Sequence, residues 1–543
     1  MMKFKKGRIS DMKRFTAMLL TLVCLFSFAS FSALAEDRPT VSYFAYWCGA
    51  LEPDGYVESY MQDKLNMEIE VRKVNHTDKE AVNLMLASGD MPDCGWYEHS
   101  YSQMADEELI RSIPVDMVKE YVPGYIELCD QYPILYELAL DPEDPTQFRF
   151  LPDFFARAVT LHNNCMYLRY DWIQKLGIDL GVNVEQLSDQ LFIADNGISR
   201  DVFEQVLDGF VNGDPDGNGE KDTFGLLKDW AVSLVPSAGI LYGANMNVDG
   251  KPQEWYANPA MKDLLLYVQR LYSKGLIYPE IFTVQWGEDW ELINHGKAGV
   301  LSGNAVATVW LESWANNRPP RSLFAADPTA QLLMIPGVAG PDGEVHHVKS
   351  YKPTRWENFY VNADVTDEQL VNVLKFFNGV NFPEDKDDEV TMDLGEKDVD
   401  WKWNEDGTVQ QINILENGEK GTKVFNRNIE TPDRFKVLDP FYSLGLKYYE
   451  STEGGIWNPM LRYTYKVDLN NSTQAGDIQR EYGKDWEATY NAYFMDVILG
   501  KKNVESDWDA YIEKLNSLEY DKYVEEIDKA PTLEEIFARY ETK

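Results

Sequence analysis

Leu84-Met-Leu-Ala-Ser-Gly-Asp-Met-Pro-Asp-Cys-Gly-Trp-Tyr97 carries the end of an amphipathic helix straight into a short strand. Upstream, Thr77 and Glu80 form a capping-box pair, and Ala81, Val82, Met85 and Leu86 supply one apolar face. Gly89 fits the position after the last turn, and Pro92 forbids helix continuation. The strand that begins near Asp93 ends in Trp96, Tyr97 and Glu98. Open α/β sheets bind ligands at the carboxyl ends of their strands, so two flat apolar faces and a carboxylate there suit a cleft wall. On residue pattern alone, aromatics that merely close a sheet edge fit equally well.

Working outward, Val41 to Trp47 reads as a strand, Asp54 to Leu65 as a helix and Met67 to Val74 as a second strand. With the 78–88 helix and the strand near 93 this makes β-α-β-α-β, a parallel sheet with right-handed crossovers. A second α/β region begins near His162, where Cys165-Met-Tyr-Leu168 precedes a helix over Tyr170 to Leu176. Between them, Phe148 to Phe155 contains Pro152 and reads as a hinge crossing. Helices are expected at about 200–212 and 259–274, and a strand at Val300-Leu301 after Gly296-Lys-Ala-Gly299. Another helix starts at Thr366, with Gln369 as its capping partner, and the acidic stretch Pro383 to Asp400 reads as a solvated loop. From about 471 the chain reads as mostly helical, with Thr532 capping Leu533 to Tyr540.

The first 35 residues have a basic start, an apolar run from Phe15 to Phe31 and Ala33-Leu34-Ala35, the pattern of an export signal cleaved after Ala35. Branched Val23 stands before Cys24 where a lipidation signal calls for a small residue, which disfavours anchoring at that cysteine. Removing residues 1–35 takes away six Lys/Arg and one Asp from 51 and 90, leaving 45 basic against 89 acidic side chains and a net charge of −44. Nucleic acid and anionic membranes are thereby disfavoured as partners. Export permits disulfides, but Cys48, Cys94, Cys129 and Cys165 allow three pairings and their spacing selects none. Cys48 and Cys94 both fall late in strands of one sheet.

Asp214-Pro-Asp216-Gly-Asn218-Gly-Glu220-Lys-Asp222 places oxygen side chains at positions 1, 3, 5 and 9 of a calcium loop, with Gly219 at position 6 and the Glu220 carbonyl at position 7. At position 12 Gly225 replaces the bidentate glutamate. With no open substrate position, the ion is read as structural. Gly-x-Ser-x-Gly, His-Glu-x-x-His, Walker and Gly-x-Gly-x-x-Gly motifs are absent from the sequence. What remains is aromatics interleaved with polar residues: Tyr46-Trp47 with Asp54, Trp96-Tyr97-Glu98, Trp310-Leu-Glu312-Ser-Trp314, and Arg355-Trp356-Glu357. Such rings can cover the apolar face of a sugar while Asp, Glu and Arg bond its hydroxyls.

Six segments, in order, resemble the extracellular solute-binding proteins of ABC transporters, solute-binding protein family 1, which includes oligosaccharide-binding lipoproteins. They are Leu86-Ala-Ser-Gly-Asp-Met-Pro-Asp93, Tyr167-Leu-Arg-Tyr-Asp-Trp-Ile-Gln-Lys-Leu-Gly177, Asp214 to Gly225, Leu271-Tyr-Ser-Lys-Gly-Leu-Ile277, Gly296-Lys-Ala-Gly299, and Pro336-Gly-Val-Ala-Gly-Pro-Asp-Gly343. The resemblance implies a type II periplasmic-binding-protein fold, two α/β lobes joined by hinge crossings, with an extended helical C-terminus. Lobe 1 would comprise 36–155 plus 305–358, and lobe 2 would comprise 159–302 plus 362–543. It implies Tyr46, Trp47, Asp54, Trp96, Tyr97, Glu98 and Trp310 as ligand contacts, with Trp230, Arg355 and Trp356 from the opposing lobe and hinge. It also implies structural Ca2+ on Asp214, Asp216, Asn218, Glu220 and Asp222.

The function expected is a monomeric, non-enzymatic receptor outside the cytoplasm that delivers an oligosaccharide or sugar derivative to an ABC permease. A peptide or other nutrient is the alternative ligand. A secreted glycan-degrading enzyme or a surface sensor on the same fold are the rivals.

Overall fold

The structure, a computed structural model, describes residues 38–45, 55–75, 78–99, 101–155, 164–285, 287–304, 319–348, 354, 357–405, 407, 409–413, 415, 418–425, 427–430, 461–462, 464–467 and 474–540. Two six-stranded sheets organise it. In chain order their strands are β1 (Thr40–Phe44), β2 (Glu68–Arg72), β3 (Cys94–Tyr97), β4 (Ile110–Arg111), β5 (Leu151–Pro152), β6 (Asn164–Arg169), β7 (Val184–Gln186), β8 (Leu191–Ala194), β9 (Phe224–Leu226), β10 (Ala298–Asn304), β11 (Leu332–Ile335) and β12 (Asn358–Asn362).

The first sheet runs β2-β1-β3-β12-β4, with β5 also paired to β12. The β1, β2 and β3 strands are parallel, as the alternation of strand and helix requires, whereas β12 enters antiparallel beside β3. The helix ahead of β3 spans Lys79–Ala87 and buries Val82, Met85 and Leu86, the expected face. Its N-cap is Asp78, whose carboxylate accepts from Ala81 N, and Thr77 lies outside the described residues. Gly89 follows with φ +70°, a left-handed turn that a β-carbon would strain.

The second sheet runs β7-β8-β11-β6-β10-β9. Its lobe differs from expectation in membership. Leu332–Ile335, expected in lobe 1, pairs with β6 and β8, and so 319–348 belongs with the second sheet. Conversely, Val365 to Ile429 supplies Leu370, Phe376, Phe377, Met392, Phe425 and Ile429 to the core of the first. A returning strand joins whichever sheet offers an open edge, and the partners of β12 lie some 260 residues upstream, beyond the reach of local pattern.

The acidic stretch is likewise not a loop throughout. Lys386–Leu394 is a helix capped by Asp385, with Val390, Thr391, Met392 and Leu394 buried. Its charges are matched by cations mostly outside the stretch: Lys64 meets Asp385 and Asp388, buried Arg427 holds Glu389 and Asp393, and Lys397 within it meets Asp387. Thr366 caps the helix Asp367–Asn381 through the expected reciprocal box with Gln369.

Cys94, Cys129 and Cys165 are buried free thiols, and Cys48 lies outside the described residues. The helices Gln474–Ile498, Val504–Asn516 and Tyr520–Ile527 pack on the second lobe through Trp486, Phe494, Tyr511 and Tyr523. The last helix, Leu533–Tyr540, does otherwise. Its Leu533 and Ile536 bury against Ile134 and Leu138 of the first lobe, and Arg539 reaches Glu137 with two bonds of 3.2 Å. Among the described residues no helix is long and apolar enough to cross a membrane.

Candidate ligand site and calcium loop

The carboxyl ends of β1, β2 and β3 lie on one edge of the first sheet, and antiparallel β12 starts on that same edge. Chain crossings converge there. Asp153 N donates to Glu357 O, Phe154 N donates to Asn428 O, and Phe154-Phe155 pairs in parallel with Ile429-Glu430. The segment expected as a hinge crossing, Phe148 to Phe155, is mostly part of the first lobe, with Leu151-Pro152 paired to β12 and Phe148, Phe150 and Phe154 in its core, and its last residues lie at the edge where open α/β sheets take ligands.

Trp96 and Tyr97 sit at that edge, but both rings are in the core, each 1% exposed. Trp96 meets Phe359 at 5.4 Å and Phe377 at 5.9 Å, whereas Tyr97 stacks on Phe44 at 4.7 Å and 19°. Successive strand residues face opposite sides, so the pair fills both layers of the lobe and offers no open ring face to a sugar. Burial pushes the Tyr97 phenol well above its ordinary pKa. The next residue, Glu98, is exposed and paired with Lys79.

In the second lobe, β9 leads through Lys228 and Asp229 into the helix Trp230–Leu234. Trp230 is half-buried, with its ring 6.1 Å from Phe494 in an edge contact. Asp289, in the short helix Glu288–Asn294, is half-buried, and one carboxylate oxygen has no hydrogen-bond partner among the described residues. Burial raises its pKa, against the opposing effect of the Lys228 charge. Tyr46, Trp47, Asp54, Trp310, Arg355 and Trp356 lie outside the described residues.

The calcium-type loop joins the helix Arg200–Asn212 to β9. Gly219 N donates to both Asp214 carboxylate oxygens at 3.2 Å. The Asn218 amide donates to Asp216 at 2.8 Å and Asp222 at 3.1 Å, and its Oδ1 accepts from Glu220 N at 2.7 Å. The loop is thus closed by its own hydrogen bonds: Asn218 presents its amide nitrogen to Asp216 and Asp222, and Asp214 is engaged by Gly219 N.

Two features depart from a complete cage. Lys297, from the turn before β10, bridges Asp216 and Asp222 with its ammonium. Bonding to Lys297 holds Asp222 below the usual carboxylate range, and Asp222 and Asp216 hold Lys297 above its own. At position 12, a β-carbon on Gly225 would stand 2.6 Å from a Leu207 methyl and 2.7 Å from Leu276 O, so no glutamate can be accommodated there. Among the described residues no group of three or more Asp, Glu, His or Cys side chains is arranged to hold a metal. In this conformation the Lys297 ammonium engages Asp216 and Asp222, while Asp214 and the Asn218 oxygen accept from backbone N–H groups of the loop itself.

The residue pattern missed Lys297, Glu357's burial and Asp289. Glu357 carried a signal, as the acidic member of an aromatic cluster. Lys297 and Asp289 carried none, since their significance arises only from folding.

No family model matches the chain. It is 26% identical over 286 residues to the fructooligosaccharide ABC transporter substrate-binding protein FusA of Streptococcus pneumoniae, over 49% of this chain and 46% of that one. The chain thus spans under half the length of that relative. It is 22% identical over 516 residues to the polygalacturonan/rhamnogalacturonan-binding protein YtcQ of Bacillus subtilis, covering 91% of this chain and 92% of YtcQ. The solved structure of an S. pneumoniae FusA EF-hand mutant in complex with fructo-nystose superposes with a TM-score of 0.67 at 17% identity, covering 93% of this chain and all of that one. That likeness is one of fold: two α/β lobes of the solute-binding kind.

Proposed function

We propose that this chain, a member of the extracellular solute-binding proteins of ABC transporters, captures an oligosaccharide or sugar derivative between its lobes and delivers it unchanged to a permease. The observation that carries this reading is the convergence of the crossings on the carboxyl edge of the first sheet, where β12 returns antiparallel beside β3. A ligand held between two hinged lobes stabilises the closed state through contacts made only when both engage. Relatives that bind fructooligosaccharide and polygalacturonan support a glycan as the ligand and a binding role without catalysis. Export, with residues 1–35 as a cleaved signal, and a monomeric state belong to the same reading.

Thermal melting with a glycan panel, followed by chromatography of the recovered glycan, tests it. Ligand at about 100 times its Kd should add roughly 2.7 kcal/mol of stability. A dose-dependent shift with intact glycan recovered is expected. Glycan cleavage, or a response to peptides alone, would refute it.

Calcium belongs to this reading as a structural ion. Asp214, Asp216, Asn218, Asp222 and the Glu220 carbonyl would hold it after Lys297 swings away. The EF-hand of the FusA mutant supports such a loop in this fold. Chelation should lower the melting temperature of the wild type and leave Asp216→Ala unchanged, and a wild type indifferent to chelator would remove the ion from the account.

A further inference from the structure

Glu357 stands immediately before β12, on the edge where the crossings converge, and is 1% exposed. Its backbone is tied in, since its carbonyl accepts from Asp153 N at 3.2 Å. Its side chain is not. Neither carboxylate oxygen has a hydrogen-bond partner among the described residues. On the other side of the same crossing, Asn428 is 4% exposed and accepts from Phe154 N at 2.8 Å, yet its side-chain Nδ2 also has no partner among the described residues. A buried acceptor and a buried donor thus flank one crossing strand, both unfilled. Unfilled buried polar groups are costly and rare, and they concentrate where a ligand completes them.

We infer that Glu357 and Asn428 form a ligand-binding subsite at the hinge that takes hydroxyl groups of an uncharged sugar, so that the ligand is a neutral oligosaccharide and not a uronate. A sugar hydroxyl donates one hydrogen bond and accepts others, which matches a carboxylate on one side and an amide N–H on the other. A sugar carboxylate in the same position would instead bring acceptor oxygens, with no hydrogen to donate, against the Glu357 oxygens and beside buried Asp153.

The inference rests on the glycan-receptor reading and is separable from it. Fructooligosaccharides and oligogalacturonates of matched length are titrated calorimetrically into wild type, Glu357→Leu and Glu357→Gln. Wild type is expected to bind the neutral series and to ignore the uronates. Glu357→Leu should melt higher than wild type without ligand, because an unsatisfied buried polar group is gone, and bind the neutral series at least tenfold more weakly. Glu357→Gln, which keeps shape and one acceptor, should fall between, and carries the test if the leucine variant does not fold. Uronate binding by wild type, or neutral-sugar affinity unchanged in either variant, overturns the subsite. A wild type that binds no glycan of either series refutes the receptor reading itself, a different result.

Discussion

Replacing Trp96 with alanine separates the two roles open to an aromatic at this strand end. The indole is 1% exposed and packed against Phe359 and Phe377. Removing a buried Trp side chain costs about 3–5 kcal/mol, of which two aromatic contacts account for roughly 1–3. In a lobe of this size each kcal/mol moves the melting transition by about 2–4 °C, so the first-lobe transition should fall by roughly 6–20 °C. Trp96→Phe, which keeps a ring against Phe359, should fall by less. Differential scanning calorimetry of the unliganded protein gives the shift, and titration well below the transition gives the affinity, expected within about threefold of wild type. An unchanged transition with a tenfold loss of affinity would refute the packing argument and return Trp96 to the ligand.

Lys297→Met removes the rival cation from Asp216 and Asp222, so calcium affinity measured by titration should rise, while stability in chelator should fall as the two carboxylates face each other unpaired; weaker calcium binding would contradict the displacement. Burial raises the thiols of Cys94 and Cys129 well above their usual range and that of Cys165 to about 12. Iodoacetamide at pH 8 should therefore leave all three unlabelled in the native protein and label them in denaturant, as peptide mass spectrometry would report; native labelling would mean these cores open readily. Thr366→Ala deletes the side-chain half of the capping box over Asp367–Asn381 and should cost about 1 kcal/mol, or roughly 2–4 °C, with ligand affinity unmoved.

Short-range chemistry was readable in this chain, and long-range partnership was not. The Thr366 and Gln369 box and the buried face Val82-Met85-Leu86 each depend on residues within a turn or two, and each is present. Trp96 and Tyr97 were correctly placed at a strand end, but whether they face ligand or core depends on Phe359 and Tyr360 from β12 and Phe377 from the helix after it, all distant in sequence. The acidic 386–394 segment looked solvated because its counterions, Lys64 and Arg427, lie outside it. Lys297 reaches the calcium loop from 75 residues beyond Asp222. Sequence pattern assigns a residue its periodicity, and only the assembled sheet assigns its neighbour.

The helix Leu533–Tyr540 makes the chain mechanically closed. Having built the second lobe, the polypeptide grips the first through Leu533, Ile536 and Arg539. Rotation of one lobe against the other must therefore either pivot through this grip or tear it, and tearing exposes two aliphatic side chains at about 1.5–3 kcal/mol each. The helix thus couples the two lobes at a second place, away from the strand crossings.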